Sequence, residues 1–306
     1  MAGWSSKTRL ICFLLLCAPP ASTQYLGAQS CRPCHAKQFA AHAVSGHALA
    51  LSRQAPAHAS GVAPKADWAF GSGTHAVTWV SRLDDSHYLE HGRSWFRSTR
   101  TLGPTPGHDN PNGIKYRIFE PEAKILRCFS CHSTGLPRVD AANRIEPAEA
   151  GVNCEVCHGP GTAHVQSGGA KYRIENPARY RATAINDQCG ACHRKPGAMG
   201  AAPKWEDPWN ARHQPLYLAE SRCFQESKEQ LSCLTCHDPH AKLARDSKHY
   251  DAVCRNCHQA VRHKSVTAKA SCVSCHMPTV RPSAQLGFAN HWIGVYSPAT
   301  TLRPRR

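Results

Sequence analysis

Fourteen of the 17 Cys in this 306-residue chain fall into seven copies of one pentapeptide, Cys-x-x-Cys-His. The copies are Cys31, Cys34 and His35; Cys128, Cys131 and His132; Cys154, Cys157 and His158; Cys189, Cys192 and His193; Cys233, Cys236 and His237; Cys254, Cys257 and His258; and Cys272, Cys275 and His276. Thiols at i and i+3 lie on one side of a helical turn, so each pair can add across the two vinyl groups at one edge of a porphyrin. The His one step further on then stands beneath the ring as the proximal iron ligand. With 20 His in the chain, chance placement of His after all seven pairs has odds on the order of one in 10^8. Disulfides need no His at that position and favour varied spacings. Zinc ribbons couple Cys pairs two by two, and seven pairs leave one over. The expected cofactor is therefore haem c, seven copies, each held by two thioethers.

Thirteen His lie outside the pentapeptides, against seven sixth positions on iron, while Met is confined to Met1, Met199 and Met277. Met277 follows a proximal His directly and cannot cross to the far face of its own haem, which leaves Met199 as the one plausible Met ligand. Nearly every haem is therefore expected to be bis-His and low in potential, because Met ligation raises it. The candidate distal ligands are His47, His108, His164, His213, His240, His263 and His291, with His42, His75 and His249 as competitors for the last place. His164 and His240 lie too close to their own attachment sites to turn back onto them, and so should reach a neighbouring iron. His58, His87 and His91 are expected to face solvent or the β element. Cys223 is the one unassigned Cys after the leader and reads as a buried free thiol.

The elements that must position these groups are sparse. Residues 26–306 read as a single heptahaem domain with about 40 residues per haem, too few for each haem to own a domain. The fold class expected is mainly α with extensive loops and a small β element at about 70–120, a multihaem cytochrome c fold in which the haems share one core. Within a haem-free insertion at about 55–125, residues 74–83 and 86–90 flank Asp84-Asp85 as a hairpin, and residues 114–120 add a strand. Trp68, Trp79, Trp95 and Phe96 are packing residues for that element. Helices are expected over 36–54, 209–226 and 247–261.

Residues 1–25 read as a secretory signal peptide: Lys7 and Arg9 precede an apolar run from Leu10 to Cys17 that is too short to span a bilayer, and no later segment looks transmembrane. The chain is thus expected to be exported, to the periplasm, with extracellular or membrane-associated sites as alternatives. The formal charge of +16 does not imply nucleic acid, because ionised propionates bring roughly one to two negative charges per haem. The basic Arg303-Pro304-Arg305-Arg306 end reads as a solvated tail.

Several longer motifs resemble the multihaem cytochromes related to hydroxylamine oxidoreductase and to the tetrahaem cytochrome that accepts its electrons. They are Gly151 to Gly161 with His164, Asn176-Pro177-Ala178-Arg179, Leu231 to His240, Cys272 to Pro278, and Asn290-His291-Trp292. The resemblance implies stacked haem pairs, bis-His ligation at transfer haems, and distal roles for His164, His240 and His291. The chain departs from the family in having seven sites rather than eight, no clear counterpart of the cross-linking Tyr, and no Cys-x-x-Cys-Lys site. The expected function is electron transfer with redox partner proteins, such as a membrane quinol-oxidising complex or another cytochrome, with no catalytic residue assigned. The alternative is an oxidoreductase acting on small nitrogen or sulfur compounds at one haem with an open distal site, lined by His75, His87 and His91 beside Arg93 and Arg97.

Overall fold

A computed structural model describes residues 25–118, 124–197, 203–228, 230–261, 263 and 270–305, apart from the His58 side chain. Residues 1–24 of the expected signal segment, with Cys17, and Met199 lie outside the described residues.

Every pentapeptide lies on or at the end of a short helix, as the i, i+3 thiol spacing requires. The first occupies a 3-10 turn, Ala28–Cys31, that runs on into α1 (Ala36–His42). The next helices are α2 (Lys124–His132), α3 (Cys154–His158), α4 (Thr162–Gln166) and α5 (Ala182–His193). They are followed by α6 (Gln214–Ala219), α7 (Arg222–Glu226), α8 (Cys233–Cys236), α9 (Ser247–Cys257) and α10 (Cys272–His276). Side chains cap several of them: Ser232 and Thr235 form a reciprocal capping box on α8, Asp246 accepts from Lys248 N on α9, and Ser271 accepts from Ser274 N on α10. Gly159 closes α3 at φ 73°, a left-handed turn that suits Gly and sends the chain directly into α4.

The stretch before α2 folds as a seven-stranded antiparallel sheet of β1 (Leu51–Ser52), β2 (Trp68–Phe70), β3 (Ala76–Arg82), β4 (His87–Glu90), β5 (Arg93–Phe96), β6 (Thr101–Pro104) and β7 (Ile114–Arg117). β3 is central: it pairs with β2 on one side, and on the other with β4 at its end and β5 at its start. Period-two alternation divides its residues between two cores. Val80, with Trp68, Phe70 and Tyr88, packs on Ile125 and Phe129 of α2. Val77 and Trp79, with Trp95, close over Ala59 on the opposite face. The sheet is thereby bolted to the helix that carries the second attachment site. Trp68, Trp79, Trp95 and Phe96 are all buried.

Beyond α2, two-stranded pairs link β8 (Ser133–Thr134) to β11 (Glu149–Ala150) and β9 (Arg138–Val139) to β10 (Ile145–Glu146). A terminal hairpin, β12 (Thr279–Ser283) and β13 (Leu286–Ala289), supplies Val280 and Phe288 to a third core with Ala211, Leu216, Tyr217, Trp292 and Leu302. The basic C-terminus is not a loose tail: Leu302 packs on that core, Arg303 pairs with Glu206, and Arg305 N donates to Val295 O.

The expectation of a mainly α chain is overturned, since it is only 33% helical with 18% strand. Two physical reasons account for this. A pentapeptide needs only one turn, so α3, α8 and α10 stop after four or five residues. The β element also recruits β1, β2, β5 and β6 beyond the hairpin and single strand that alternation indicated, because short strands such as Trp68–Phe70 are buried on both faces and carry no polar alternation.

Candidate haem-binding sites

Five of the seven proximal His face a second imidazole. Ring centroids are 6.4 Å apart for His35 and His164, 6.1 Å for His158 and His240, and 6.1 Å for His193 and His47. They are 6.2 Å apart for His237 and His291 and 5.9 Å for His276 and His263. These separations are too long for ring stacking. Two imidazoles on opposite sides of one first-row metal ion, each with a nitrogen about 2.0 Å from it, hold their centroids about 6.3 Å apart. The donor set and its spacing therefore fit a bis-imidazole iron at each of these five places.

Hydrogen bonds fix which nitrogen is free. Nδ1–H donates to a backbone carbonyl in His132 (Ala50 O, 3.0 Å), His158 (Glu175 O, 2.7 Å), His164 (Tyr172 O, 2.9 Å), His276 (Gly294 O, 2.8 Å) and His291 (Ala289 O, 3.0 Å). Each bond leaves Nε2 unprotonated and aims it away from the backbone, the arrangement that orients metal-binding imidazoles. His47 lies against the Pro239 carbonyl and His193 against the Gln214 side chain. Burial holds His47, His132, His193 and His237 below the ordinary imidazole range and pushes His291 down to about 4. These rings are thus neutral at physiological pH, and only neutral imidazole binds a metal.

The facing pairs join segments that are distant in sequence. His164, within α4, faces the first site; His240, beyond α8, faces the third; His47, beyond α1, faces the fourth; and His291, beyond β13, faces the fifth. With haem bound, the Cys Sγ atoms of these sites would carry the thioethers. Thiols of different sites lie near enough to perturb one another: Cys31 and Cys154, Cys131 and Cys192, and Cys189 and Cys233. Side chains clamp further neighbours: Gln188 Nε2 donates to Cys157 O (2.9 Å), Cys233 N to Asn186 Oδ1 (2.8 Å) and Cys272 N to Asp251 Oδ1 (2.9 Å). The first site thus adjoins the third, the fourth adjoins the second, third and fifth, and the sixth adjoins the seventh.

Glu155, an x position of the third pentapeptide, is buried and spans two sites. Its carboxylate accepts from Leu26 N (2.9 Å), Gly27 N (2.8 Å) and Gly161 N (2.7 Å). Glu149 accepts from Ala28 N at 3.1 Å, and burial pushes its carboxyl up. No motif signalled Asn186, Gln188 or Asp251, and Glu155 lies within the Gly151 to Gly161 motif with no role assigned, because an x position carries no sequence constraint from the haem chemistry.

His108 and His213 do not face a proximal His among the described residues. His108 Nε2 lies 3.6 Å from Glu90 Oε2, beside the Tyr116 hydroxyl that donates to the same oxygen. His213 is buried with Nδ1 unbonded, its pKa lowered to about 4 by burial and then by Arg194 and Arg212. His42 bonds the Val152 carbonyl near His47, His240 and His158. His75 packs on Phe288 and His249 on Tyr250. His87 pairs with Asp84, and His91 Nε2 is 2.8 Å from Ser81 Oγ, so the proposed pocket of His75, His87 and His91 does not assemble. Among the described residues no imidazole faces His132 or His258; residues 264–269, close to the latter in sequence, lie outside them. Cys223 is partly buried, and burial pushes its thiol up.

The family described as cytochrome c554 and c-prime matches residues 96–159, which span the second and third sites. A search of the curated proteins finds no match. Among solved structures, the chain is similar to the outer cell wall cytochrome OcwA, with a TM-score of 0.56, 16% identity, and coverage of 89% of this chain and 80% of that one. It is also similar to the undecahaem cytochrome from the S-layer of Carboxydothermus ferrireducens, with a TM-score of 0.53, 17% identity, and coverage of 90% of this chain and 53% of that one. The fold is that of multihaem cytochromes. Among the described residues no helix is long and apolar enough to cross a membrane.

Proposed function

We propose that residues 26–306 form a single electron-transfer domain holding seven covalent haems c, two Cys and one proximal His to each. The observation that carries this reading is the set of five imidazole pairs at 5.9–6.4 Å, each built on a pentapeptide His. When bound, haem supplies a one-electron iron couple. The residues hold both axial positions, fix the tautomer through backbone carbonyls and bring neighbouring attachment edges together, so electron exchange demands little ligand movement. The c554-family match and the multihaem cytochrome fold support electron transfer as the activity. Export to the periplasm belongs to the same proposal, resting on residues 1–25 and on thioether attachment outside the cytoplasm. So does a relation to hydroxylamine oxidoreductase, resting on residues 151–161 and 231–240. Redox partner proteins follow from the activity, a quinol-oxidising complex or another cytochrome among them.

Intact-mass analysis of the purified protein should give the leaderless polypeptide plus seven haems, and ferric spectra should be dominated by low-spin centres. A mass lacking these groups, or predominantly high-spin iron, would overturn the reading.

One observation favours a second activity at a single site. His132 is oriented by Ala50 O and flanked by Phe70 at 5.3 Å, yet no imidazole of the described residues faces it. A haem there would leave a face for a small nitrogen or sulfur compound. Nitric oxide or cyanide binding to one haem, lost on His132→Gly, supports this; no ligand uptake by any haem ends it.

A further inference from the structure

We propose, resting on the reading of the fourth site as a haem site, that His213, Arg212 and Arg194 form a receptor for a propionate of the haem carried there. His213 then serves that haem from its edge and is not an axial ligand. It is 7% exposed, and its Nδ1 has no hydrogen-bond partner. The other ring nitrogen decides what Nδ1 can do. Arg212 Nε donates to His213 Nε2 at 3.4 Å. A guanidinium has no acceptor to offer, so Nε2 is the accepting nitrogen and Nδ1 carries the hydrogen. A buried N–H without an acceptor is rare in native proteins and calls for a partner from outside the chain.

That partner must be an acceptor, and the surroundings favour an anion. The Arg194 and Arg212 guanidiniums both act on the His213 ring. Asp207 acts on it as well, but its carboxylate accepts from Trp209 N at 3.0 Å and leaves His213 Nδ1 unbonded. The position identifies the anion. Arg194 directly follows His193, the fourth proximal ligand, at φ +64°, a left-handed conformation that costs a side-chain-bearing residue and recurs at functional sites. Gln214, the residue after His213, lies against His193. The receptor residues thus adjoin His193 both at the end of α5 and at the start of α6, and a haem on His193 would bring two carboxylates of its own. An imidazole N–H and two guanidiniums suit a carboxylate, through charge-assisted hydrogen bonds. An ionised propionate favours ferric iron, so donors that draw off its charge raise the potential of that haem.

The test is potentiometric titration of the haem-loaded protein, read by optical and electron paramagnetic resonance spectra that resolve single haems. In His213→Leu and in Arg212→Gln one haem should titrate lower. Its reduced fraction at fixed potential should fall about tenfold, a shift of about 59 mV for one electron, and its propionate bending band in resonance Raman spectra should move. His213→Asn, whose Nδ2–H takes the place of the ring Nδ1–H, should keep both properties close to the parent. Haem count and spin state should hold in every variant. A haem that gains carbon monoxide binding in His213→Leu would make His213 an axial ligand and overturn the proposal. Unchanged potentials in both His213→Leu and Arg212→Gln, with the haem count intact, would also overturn it and leave the haem-binding reading standing; failure of that reading shows instead as missing haem mass. A potential that follows added acetate or sulfate would assign the receptor to a free anion and overturn the propionate.

Discussion

Glu155→Gln is the substitution that most directly tests how the first ligand pair is held. The native carboxylate serves two segments at once. Leu26 and Gly27 lead into the turn bearing Cys31, while Gly161 opens α4, which bears His164. One oxygen accepts from Gly161 N and the other from Gly27 N, with Leu26 N shared between them at 3.1 and 2.9 Å. An amide in the same shape sets an NH2 against one of these donors, whichever way it is turned. One buried N–H then loses its acceptor, at about 1–3 kcal/mol, and the surviving bonds lose their charge assistance. Glu155→Ala leaves all three donors unpaired, for about 4–6 kcal/mol. With about 2 kcal/mol lost on Glu155→Gln, hydrogen exchange at Leu26, Gly27 and Gly161 should accelerate about 30-fold. One low-spin ferric signal, that of the His35 and His164 pair, should broaden or shift while the others hold. Exchange at those three amides within about threefold of the parent, together with an unchanged spectrum, would refute the reasoning.

His240→Ala should convert one low-spin haem to a ligand-binding one without changing the haem count; carbon monoxide difference spectra report this, and an unchanged spectrum removes His240 from iron. Phe129→Ala empties the joint between sheet and α2, where its ring meets Trp68 at 5.3 Å and Phe70 at 5.0 Å, and should cost about 3–5 kcal/mol by denaturant titration. Asp84 is held down to about 2 from 3.8, first by the Ser86 backbone N–H and then by the His87 side chain. A depressed carboxylate stabilises the fold above its ordinary value, and that contribution is lost as pH falls from 3.8 through about 2. A carbon-detected titration should find its inflection near 2, and Asp84→Asn should loosen the β3–β4 turn at neutral pH.

The attachment sites are legible in the sequence because their chemistry is local: five consecutive residues specify two bonds to the porphyrin edge and one to the metal. The second axial ligand is not local. His164 and His240 could be read as crossing to other irons because each lies too near its own site, but nothing in their neighbourhood names the partner. His108 and His213 look equivalent to His47 on paper; what separates them is a Pro239 carbonyl within reach of His47 and a Glu90 carboxylate beside His108. The hairpin of β3 and β4 is legible from alternation about Asp84-Asp85, whereas β1 is only two residues long and β6, Thr101-Leu102-Gly103-Pro104, combines Gly and Pro in place of an apolar alternation. The helix expected over 209–226 divides into a 3-10 turn, α6 and α7, with Pro208 and Pro215 each starting a new segment at its first turn.

The crossing of ligands makes the fold and the cofactors mutually dependent. A bis-His haem whose two imidazoles came from one segment would act as a local staple, and its loss would be a local event. Here the segment after the third site sets His164 opposite His35 of the first, the segment after the fifth sets His240 opposite His158 of the third, and the segment after β13 sets His291 opposite His237 of the fifth. An iron bound at each of these three pairs would close a long loop, and closing long loops removes the most entropy from the unfolded chain. The closeness of Cys31 and Cys154 then follows as a consequence, since a segment that ligates a neighbour's iron must carry its own attachment edge alongside. Proximity of redox centres and stability of the chain thus arise from one topological device. Removing a single distal imidazole should therefore disturb two sites: the one that loses its ligand and the one whose segment loses its tether.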